Sequence, residues 1–358
     1  MDDPRPATDT SPGPGAPRVL DPRGANLLPE GAQLERLGSG STWAEGPVWL
    51  PDERAVIFSD IPGDRILRWD EGGTGLTVHA EGVEFTNGRT LDHEGRVVAC
   101  SHGRRAVERT EADGSTTVLV DRVGGVGGVG GVGAVGGARL NSPNDVVVAA
   151  DGAIWFTDPA YGISVPEEGH EGFREYGDHH VFRFDPATGE LRVVVTDVEE
   201  PNGLAFSPDE SLLYVADTSA APVPHNGDHR LIRVYDVLRG IRGGRGPLAR
   251  PGGPVAKNGR VFATMERGLA DGFRVDRDGN VWTSDGDAIA VHAPDGTRLL
   301  EVVVGEVVAN LCFGGEDGST VFVAASTSLY RLPTAAVGAG LWWLDQAGTG
   351  TGAGAAAG

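Results

Sequence analysis

Six polar side chains along this chain occupy the same place in a repeated pattern and could together bind a metal ion. In each copy, a residue with a side-chain carbonyl or carboxylate oxygen leads an apolar run, and an acidic turn residue follows seven positions later. The leading residues are Glu45, Asn87, Asn144, Asn202, Asp271 and Asn310. Oxygen ligands that include only two carboxylates suit a hard divalent cation such as Ca²⁺. The set contains no His or Cys, which disfavours a zinc site of the usual kind.

Turn formation is a simpler explanation for part of this set. Asn-Gly and Asp-Gly pairs commonly form turns, and this accounts for Asn87, Asn202 and Asp271 without any ligand. It does not account for Glu45 or Asn310, which are not part of such pairs. The recurrence of an oxygen-bearing side chain in all six copies therefore favours metal binding over turn formation alone.

The repeat that carries these residues predicts the fold. Each copy consists of two short runs rich in Val, Ile, Phe and Trp, joined by an acidic turn, which is typical of a β-hairpin. The turn residues are Asp52, Glu94, Asp151, Asp209, Asp278 and Asp317. Six radially repeated hairpins indicate an all-β fold, a six-bladed β-propeller. Because the first strand of each blade lines the central channel, the six leading residues are expected at equivalent heights around one axis.

The remaining segments define the predicted domain boundaries. Residues 1–30 and 347–358 are rich in small and polar residues without periodicity, and we expect disordered tails there. Residues 31–346 are predicted to form the propeller. Its sixth repeat lacks a fourth strand, and a short strand at 33–37 is expected to close the ring. The Gly/Val run 124–137 matches a dinucleotide fingerprint formally, but no helix pattern follows it, so we interpret it as a flexible insertion.

Composition excludes several classes of function. The chain has 358 residues and a formal net charge of −21, which excludes a nucleic-acid-binding protein because phosphate contact needs a basic face. Cys100 and Cys312, the two cysteines, lie in apolar runs and are expected to be buried thiols. No apolar run reaches membrane-spanning length and the N-terminus lacks a signal-peptide pattern, so we expect a cytoplasmic protein without membrane contact.

Several long motifs resemble one family. They are Glu45-Gly-Pro-Val-Trp, Arg139-Leu-Asn-Ser-Pro-Asn-Asp-Val, Trp155-Phe-Thr-Asp-Pro, Pro201-Asn-Gly-Leu-Ala-Phe-Ser-Pro-Asp-Glu and Asp271-Gly-Phe-Arg-Val-Asp-Arg-Asp-Gly-Asn-Val-Trp. Together they resemble the gluconolactonase/regucalcin (senescence marker protein) family over roughly residues 34–332. That resemblance implies a six-bladed propeller that hydrolyses lactones with one divalent metal in its channel, usually Ca²⁺, with Zn²⁺, Mn²⁺ or Mg²⁺ in some members.

The resemblance also implies roles for individual residues. Glu45, Asn202 and Asp271 correspond to metal ligands, and Asp271 also corresponds to the proposed acid/base. Asn144 corresponds to a substrate-contacting residue, and its place in the ring adds it to the expected metal ligands. Arg139 corresponds to a substrate-binding arginine, although it stands five residues before Asn144 instead of two. Asn87 is a further amide suited to binding the hydroxyl groups of a polyol.

The chemistry expected of this set is lactone opening. The metal would polarise the lactone carbonyl and activate water, and Asp271 would carry the proton from water to the ring oxygen. No nucleophile motif such as G-x-S-x-G or H-E-x-x-H occurs. Two alternatives stay open, a phosphotriester or fluorophosphate hydrolase with the same metal site and a non-catalytic, metal-stabilised binding propeller. The expected partner is a small-molecule lactone, and the oligomeric state is left open.

Three further features of the sequence lie outside the expected catalytic set. Asp158 and Asp217 each end a second strand and are expected to support turns or ligands. His102 follows another second strand and is expected to be a buried, hydrogen-bonded histidine without a catalytic role. The long polar loop 161–179 is either solvated or a lid over the site, and the sequence does not separate these two alternatives.

Overall fold

The computed structural model describes residues 15–124, 137–221, 227–239 and 253–344. Before the repeats come β1 (Pro17–Val19), a short 3₁₀ helix (Pro22–Asn26) and β2 (Glu35–Ser39). The first sheet contains β3 (Ala44–Leu50), β4 (Ala55–Asp60), β5 (Arg65–Asp70) and β6 (Leu76–Glu81). The second contains β7 (Thr86–Leu91), β8 (Val97–Ser101), β9 (Ala106–Thr110) and β10 (Thr116–Val120).

The chain continues with a two-stranded ribbon and four more sheets. The ribbon pairs β11 (Arg122–Val123) with β12 (Ala138–Arg139). The third sheet contains β13 (Val146–Val148), β14 (Ile154–Asp158), β15 (His180–Asp185) and β16 (Glu190–Val195), with helix α1 (Tyr161–Ser164) between β14 and β15. The fourth contains β17 (Pro201–Phe206), β18 (Leu212–Asp217), β19 (Leu231–Leu238) and β20 (Val255–Thr264).

The last two sheets use strands from both ends of the chain. The fifth contains β21 (Phe273–Val275), β22 (Val281–Asp285), β23 (Ala288–His292) and β24 (Arg298–Val303), and β1 pairs with β24 as a fifth strand. The sixth contains β25 (Val308–Gly314), β26 (Thr320–Ala325) and β27 (Ser328–Pro333), and β2 pairs antiparallel with β27. The first strands β3, β7, β13, β17, β21 and β25 contact one another in cyclic order. The predicted six-bladed β-propeller is therefore confirmed.

The acidic turn of each repeat explains why its two strands fold back. In four of the six copies a glycine follows the acidic residue and adopts a positive φ, as at Gly95 (78°) and Gly152 (80°). This left-handed conformation favours glycine because a Cβ atom would be strained there. Elsewhere the acidic side chain itself tightens the turn, since Asp209 accepts a hydrogen bond from the Ser211 backbone at 3.0 Å. Local chemistry therefore sets the hairpin spacing.

Apolar side chains fill the spaces between neighbouring sheets. Phe156 and Phe182 pack between the second and third sheets, and Trp49 stacks on Phe322 between the first and sixth. Similar clusters lie between the other sheets, so that burial joins each blade to the next. As predicted, Cys100 and Cys312 are buried and free. Among the described residues, no helix has the length and apolar character needed to cross a bilayer.

The structure corrects the predicted start of the ordered chain. Residues 15–30 were expected to be disordered, but β1 and the 3₁₀ helix pack on the fifth sheet, and Leu27 is buried in the core. The apolar residues of this segment are too few to show a period, so only the tertiary contact reveals them. The strand expected at 33–37 lies at Glu35–Ser39. The predicted tail 347–358 and most of the Gly/Val run lie outside the described residues.

Candidate active site

Glycines bring the six leading residues close together around the channel. In four blades a glycine follows the leading residue, and it packs against the backbone or side chain of the next leading residue. A Cβ atom on Gly46 would lie 2.2 Å from the carbonyl oxygen of Asn87, and one on Gly272 would lie 2.0 Å from Cγ of Asn310. These glycines therefore explain why Asn-Gly and Asp-Gly recur: they permit close approach of neighbouring first strands.

Glu45 lies at the junction of the first and sixth blades. Its side chain is buried, and Oε2 accepts hydrogen bonds from the backbone of Gly46 at 2.7 Å and from Nδ2 of Asn310 at 3.2 Å. Burial raises the pKa of Glu45 to about 7, and the nearby charge of Asp145 adds to this rise. The two hydrogen bonds oppose the rise without cancelling it.

Asp271 faces the same channel from the fifth blade and keeps part of its surface exposed. Its backbone nitrogen donates to Oγ of Ser284 at 2.7 Å, and its carbonyl accepts from Gly203 at 2.9 Å. Desolvation raises its pKa well above the usual value, and the negative charges of Glu45 and Glu168 raise it further, while a hydrogen bond from Asn202 lowers it.

This donor set fits a divalent cation. The pKa values of both Glu45 and Asp271 are raised, that of Asp271 in part by the charge of Glu45, inside a channel whose other leading residues are neutral amides. A bound cation would relieve that repulsion, and carboxylate and amide oxygens are the ligands that Ca²⁺ prefers. The Asn144 side chain makes no hydrogen bond within the described parts of the chain, so its oxygen is free for a ligand. Asn202 donates to Thr218 through Nδ2, which leaves its oxygen free as well.

Arg139 does not join the ring in this structure. Its guanidinium donates to the carbonyl oxygen of Arg104 at 3.1 Å, and its backbone nitrogen donates to Glu175 at 2.7 Å. The side chain belongs to the β11–β12 ribbon, which places it beside the second blade. The contact of Arg139 with a substrate stays a prediction, and it requires the guanidinium to leave the Arg104 carbonyl.

Two charged residues near the ring, Asp145 and Arg274, were not predicted from the sequence. Asp145 is buried and pairs with Arg274 at 3.2 Å, an ion pair that joins the third and fifth blades. It stands where four other blades have glycine, and this departure from the repeat is the signal that could have identified it. A Cβ atom on Gly88 would lie 2.5 Å from Oδ1 of Asp145, so the neighbouring glycine also makes room for this side chain.

The segment 161–179 reaches the channel and supplies two more groups. Glu168 lies close enough to raise the pKa values of both Glu45 and Asp271, and burial raises its own pKa to about 7. Tyr161, on α1, is buried and its hydroxyl lies 2.6 Å from Oγ1 of Thr218. These contacts favour the lid interpretation of this segment over solvated decoration.

Strand-end aspartates act as backbone acceptors in this fold. Asp158 accepts a hydrogen bond from the Asn141 backbone at 2.8 Å, and Asp217 accepts from the Glu199 and Glu200 backbones at 3.2 and 3.3 Å. Oxygen and nitrogen atoms of Glu199, Asp217 and His229 lie within 4.8 Å of one another, a spacing that a metal ion could use. Asp217 already accepts backbone hydrogen bonds, as Asp158 does at the end of its own second strand. The position of Asp217 in this second cluster is therefore explained without a metal ion.

Comparison with known proteins gives consistent matches over most of the chain. The family model described as "SMP-30/Gluconolactonase/LRE-like region" matches residues 43–225 and 249–327. A gluconolactonase of Zymomonas mobilis is 31% identical over 337 residues, covering 89% of this chain and 86% of the relative. The pentonolactonase XacC of Haloferax volcanii is 27% identical over 289 residues, covering 79% and 81%.

Solved structures agree with the fold and with these relatives. A gluconolactonase of Xanthomonas campestris superposes with a TM-score of 0.76 at 35% identity, covering 90% of this chain and 96% of that structure. A regucalcin of Agrobacterium tumefaciens, described as a calcium-binding protein, superposes with a TM-score of 0.61 at 18% identity, covering 91% and 96%. The second match supports the fold alone.

Proposed function

Because the chain belongs to the SMP-30/gluconolactonase/LRE-like family, we propose that this lactonase opens sugar lactones with a divalent metal, most simply Ca²⁺, held in its channel. The observation that carries the proposal is the pair of carboxylates Glu45 and Asp271 in a ring of neutral amides, where the charge of Glu45 raises the pKa of Asp271. Relatives named for gluconolactone, pentonolactone and sulfogluconolactone hydrolysis support a sugar lactone as substrate.

The ligand set follows from the ring. Glu45, Asn202, Asp271 and Asn144 would hold the cation through side-chain oxygens, and Zn²⁺, Mn²⁺ or Mg²⁺ could replace Ca²⁺ there. When bound, the cation would supply Lewis-acid polarisation of the lactone carbonyl. The amide groups of Asn87 and Asn144 suit the hydroxyl groups of the sugar, since an amide both donates and accepts hydrogen bonds.

Asp271 is the proposed proton carrier. Hydrolysis adds one water molecule across the C–O bond of the lactone ring and yields the open-chain hydroxy acid. Asp271 takes a proton from the attacking water and returns it to the ring oxygen as that bond breaks. Its partial exposure makes Asp271 reachable by water, whereas the Glu45 side chain is buried. This difference supports Asp271 as the proton carrier and Glu45 as a ligand only.

A substrate panel tests the proposal. We expect the chelator-treated protein to release no acid from glucono-1,5-lactone above spontaneous hydrolysis, and expect added Ca²⁺, Mn²⁺, Zn²⁺ or Mg²⁺ to restore acid release in a pH-stat. Tight cation binding without turnover of any lactone would favour a non-catalytic propeller. Faster hydrolysis of a phosphotriester or fluorophosphate than of every lactone would favour the alternative hydrolase.

A further inference from the structure

His102 connects the ring of leading residues with the 161–179 segment. It lies directly after β8 and is fully buried. Its Nδ1 is 3.0 Å from the backbone carbonyl oxygen of Glu168 in the 161–179 segment. Its Nε2 is 3.2 Å from Nδ2 of Asn87 in the ring. The His102 imidazole therefore joins Asn87 in the ring to Glu168 in the 161–179 segment.

The chemistry of these partners fixes the hydrogen-bond directions. A carbonyl oxygen only accepts hydrogen bonds, so Nδ1 carries the hydrogen and donates it to the backbone carbonyl of Glu168. Burial lowers the pKa of His102 to about 4, so the ring is neutral at pH 7 and Nε2 is an acceptor. Asn87 must then present its NH₂ group to the imidazole. Its Oδ1 stands on the opposite edge of the amide, where no donor from the described residues engages it.

The 161–179 segment packs directly against His102. A Cβ atom on Gly162 would lie 2.4 Å from Cβ of His102, and one on Gly169 would lie 2.1 Å from the carbonyl oxygen of Gly162. Two glycines in the segment therefore allow it to press against the imidazole. Arg105, three residues further on, donates to the carbonyl oxygen of Phe173 at 3.2 Å and holds the segment at a second point.

We propose that His102 is a positioning residue that sets the orientation of the Asn87 amide and fastens the 161–179 segment over the channel. Through Nε2 it holds the Asn87 oxygen available to a substrate hydroxyl, and through Nδ1–H it holds Glu168 over the site. This inference rests on the proposed function only in its Asn87 half, because the attachment of the segment can be measured without any substrate.

Two substitutions separate the two hydrogen bonds. In His102→Gln, Oε1 can take the place of Nε2 and accept from Asn87, while the bond to Glu168 is lost. In His102→Asn, Nδ2 can take the place of Nδ1–H and donate to Glu168, while the bond to Asn87 is lost. The kinetic readout is KM for glucono-1,5-lactone with saturating Ca²⁺. The structural readout is the rate of tryptic cleavage after Arg174, an exposed residue of the segment, followed by mass spectrometry.

The two variants should respond in opposite ways. We expect His102→Asn to raise KM about tenfold with cleavage at the wild-type rate, since a neutral hydrogen bond is worth about a factor of ten. We expect His102→Gln to accelerate cleavage about tenfold with KM nearly unchanged, because a tenfold rise in a rare local opening leaves the segment closed most of the time. In an Asn87→Ala background, His102→Asn should add no further rise in KM. If the two readouts move together in both variants, His102 is only a packing residue and the inference is wrong.

Failure of the proposed function would be seen separately. If the wild-type protein opens no lactone with any cation, the function is wrong, whereas the cleavage assay still decides whether His102 fastens the segment. Equal cleavage rates after Arg174 in wild type and His102→Gln would overturn that half of the inference regardless of activity.

Discussion

At the scale of single residues, Asp271 and its ring neighbours are expected to differ in how they respond to excess metal. Asp271→Asn keeps an oxygen ligand of the same shape but cannot carry a proton. It should retain appreciable metal binding and lose roughly 10²-fold or more in kcat, the usual effect of removing a general base. Calorimetric titration with Ca²⁺ and steady-state kinetics on one lactone measure the two effects.

Glu45→Gln and Asn202→Ala are the matched controls. Each weakens a ligand without removing the proton carrier, so excess cation should partly restore their activity. If added cation rescues Asp271→Asn as fully as these two variants, Asp271 is only a ligand. The proton must then be carried by another group, such as Glu168, whose charge raises the pKa of Asp271.

His102 should also make stability depend on pH. Its neighbours at hydrogen-bond distance are a neutral amide and a carbonyl, so no charge offsets the burial that lowers its pKa from 6.5 to about 4. The unfolded chain takes up a proton below pH 6.5 and the folded chain does not, so this group reduces stability as pH falls from 6.5 towards 4. Between pH 7 and pH 5 the loss is about 2 kcal/mol.

Urea unfolding at both pH values measures this effect. His102→Gln lacks the titrating group and should lose less stability than wild type between pH 7 and pH 5. The comparison between the two proteins removes the contribution of all other titrating groups. Identical losses would show that His102 is protonated in the folded state as readily as in the unfolded chain.

At the scale of elements, the 161–179 segment should control substrate use more than metal binding. Replacing residues 165–172 by a Gly-Ser linker removes Glu168 and the contact with His102 but leaves the four expected ligands in place. We expect KM and the preference among lactones to change, with Ca²⁺ affinity within a few-fold of wild type. Unchanged KM values across the lactone panel would show that the segment has no role in substrate binding.

The Gly/Val run between β11 and β12 is expected to be dispensable for metal binding. Its two ends are held together by the pairing of Arg122 with Arg139 and of Val123 with Ala138. Replacing residues 125–136 by a short Gly-Ser turn should therefore preserve the ribbon and the metal affinity. Loss of Ca²⁺ binding on this change would show that the run positions Asn144 or its neighbours.

At the scale of the whole molecule, closure of the ring is expected to depend on β2. Deleting residues 1–40 removes the strand that pairs with β27, leaves an open sheet edge and should prevent cooperative folding. Deleting residues 1–28 removes β1 and the buried Leu27, which should cost about 2 kcal/mol or more but leave a folded propeller. Thermal melts relative to a chain beginning at Gly15 distinguish these outcomes, and equal melting of both truncations would refute the closure role.

The repeat alone specifies much of the molecule. Six copies in register predicted six hairpins, the all-β propeller and the position of the leading residues around one axis, because hairpin spacing and alternation are local properties. The same register placed Glu45 and Asp271 in one set, although they stand 226 positions apart in the chain. The resemblance added the chemistry, and the comparisons confirmed the family and the enzyme class.

Only the tertiary structure decided what lies beside the ring. Asp145 and Arg274 pair across blades, Glu168 reaches the channel from a loop, and Arg139 turns towards the Arg104 carbonyl. Each of these contacts joins residues whose chain separation carries no period, so the repeat could mark Asp145 as unusual but could not specify the pairings. The pairing of the N-terminal strand β1 is likewise decided only by the tertiary structure. Its three residues pair with β24 because the fifth sheet has an open edge there. That edge exists only once the propeller has formed.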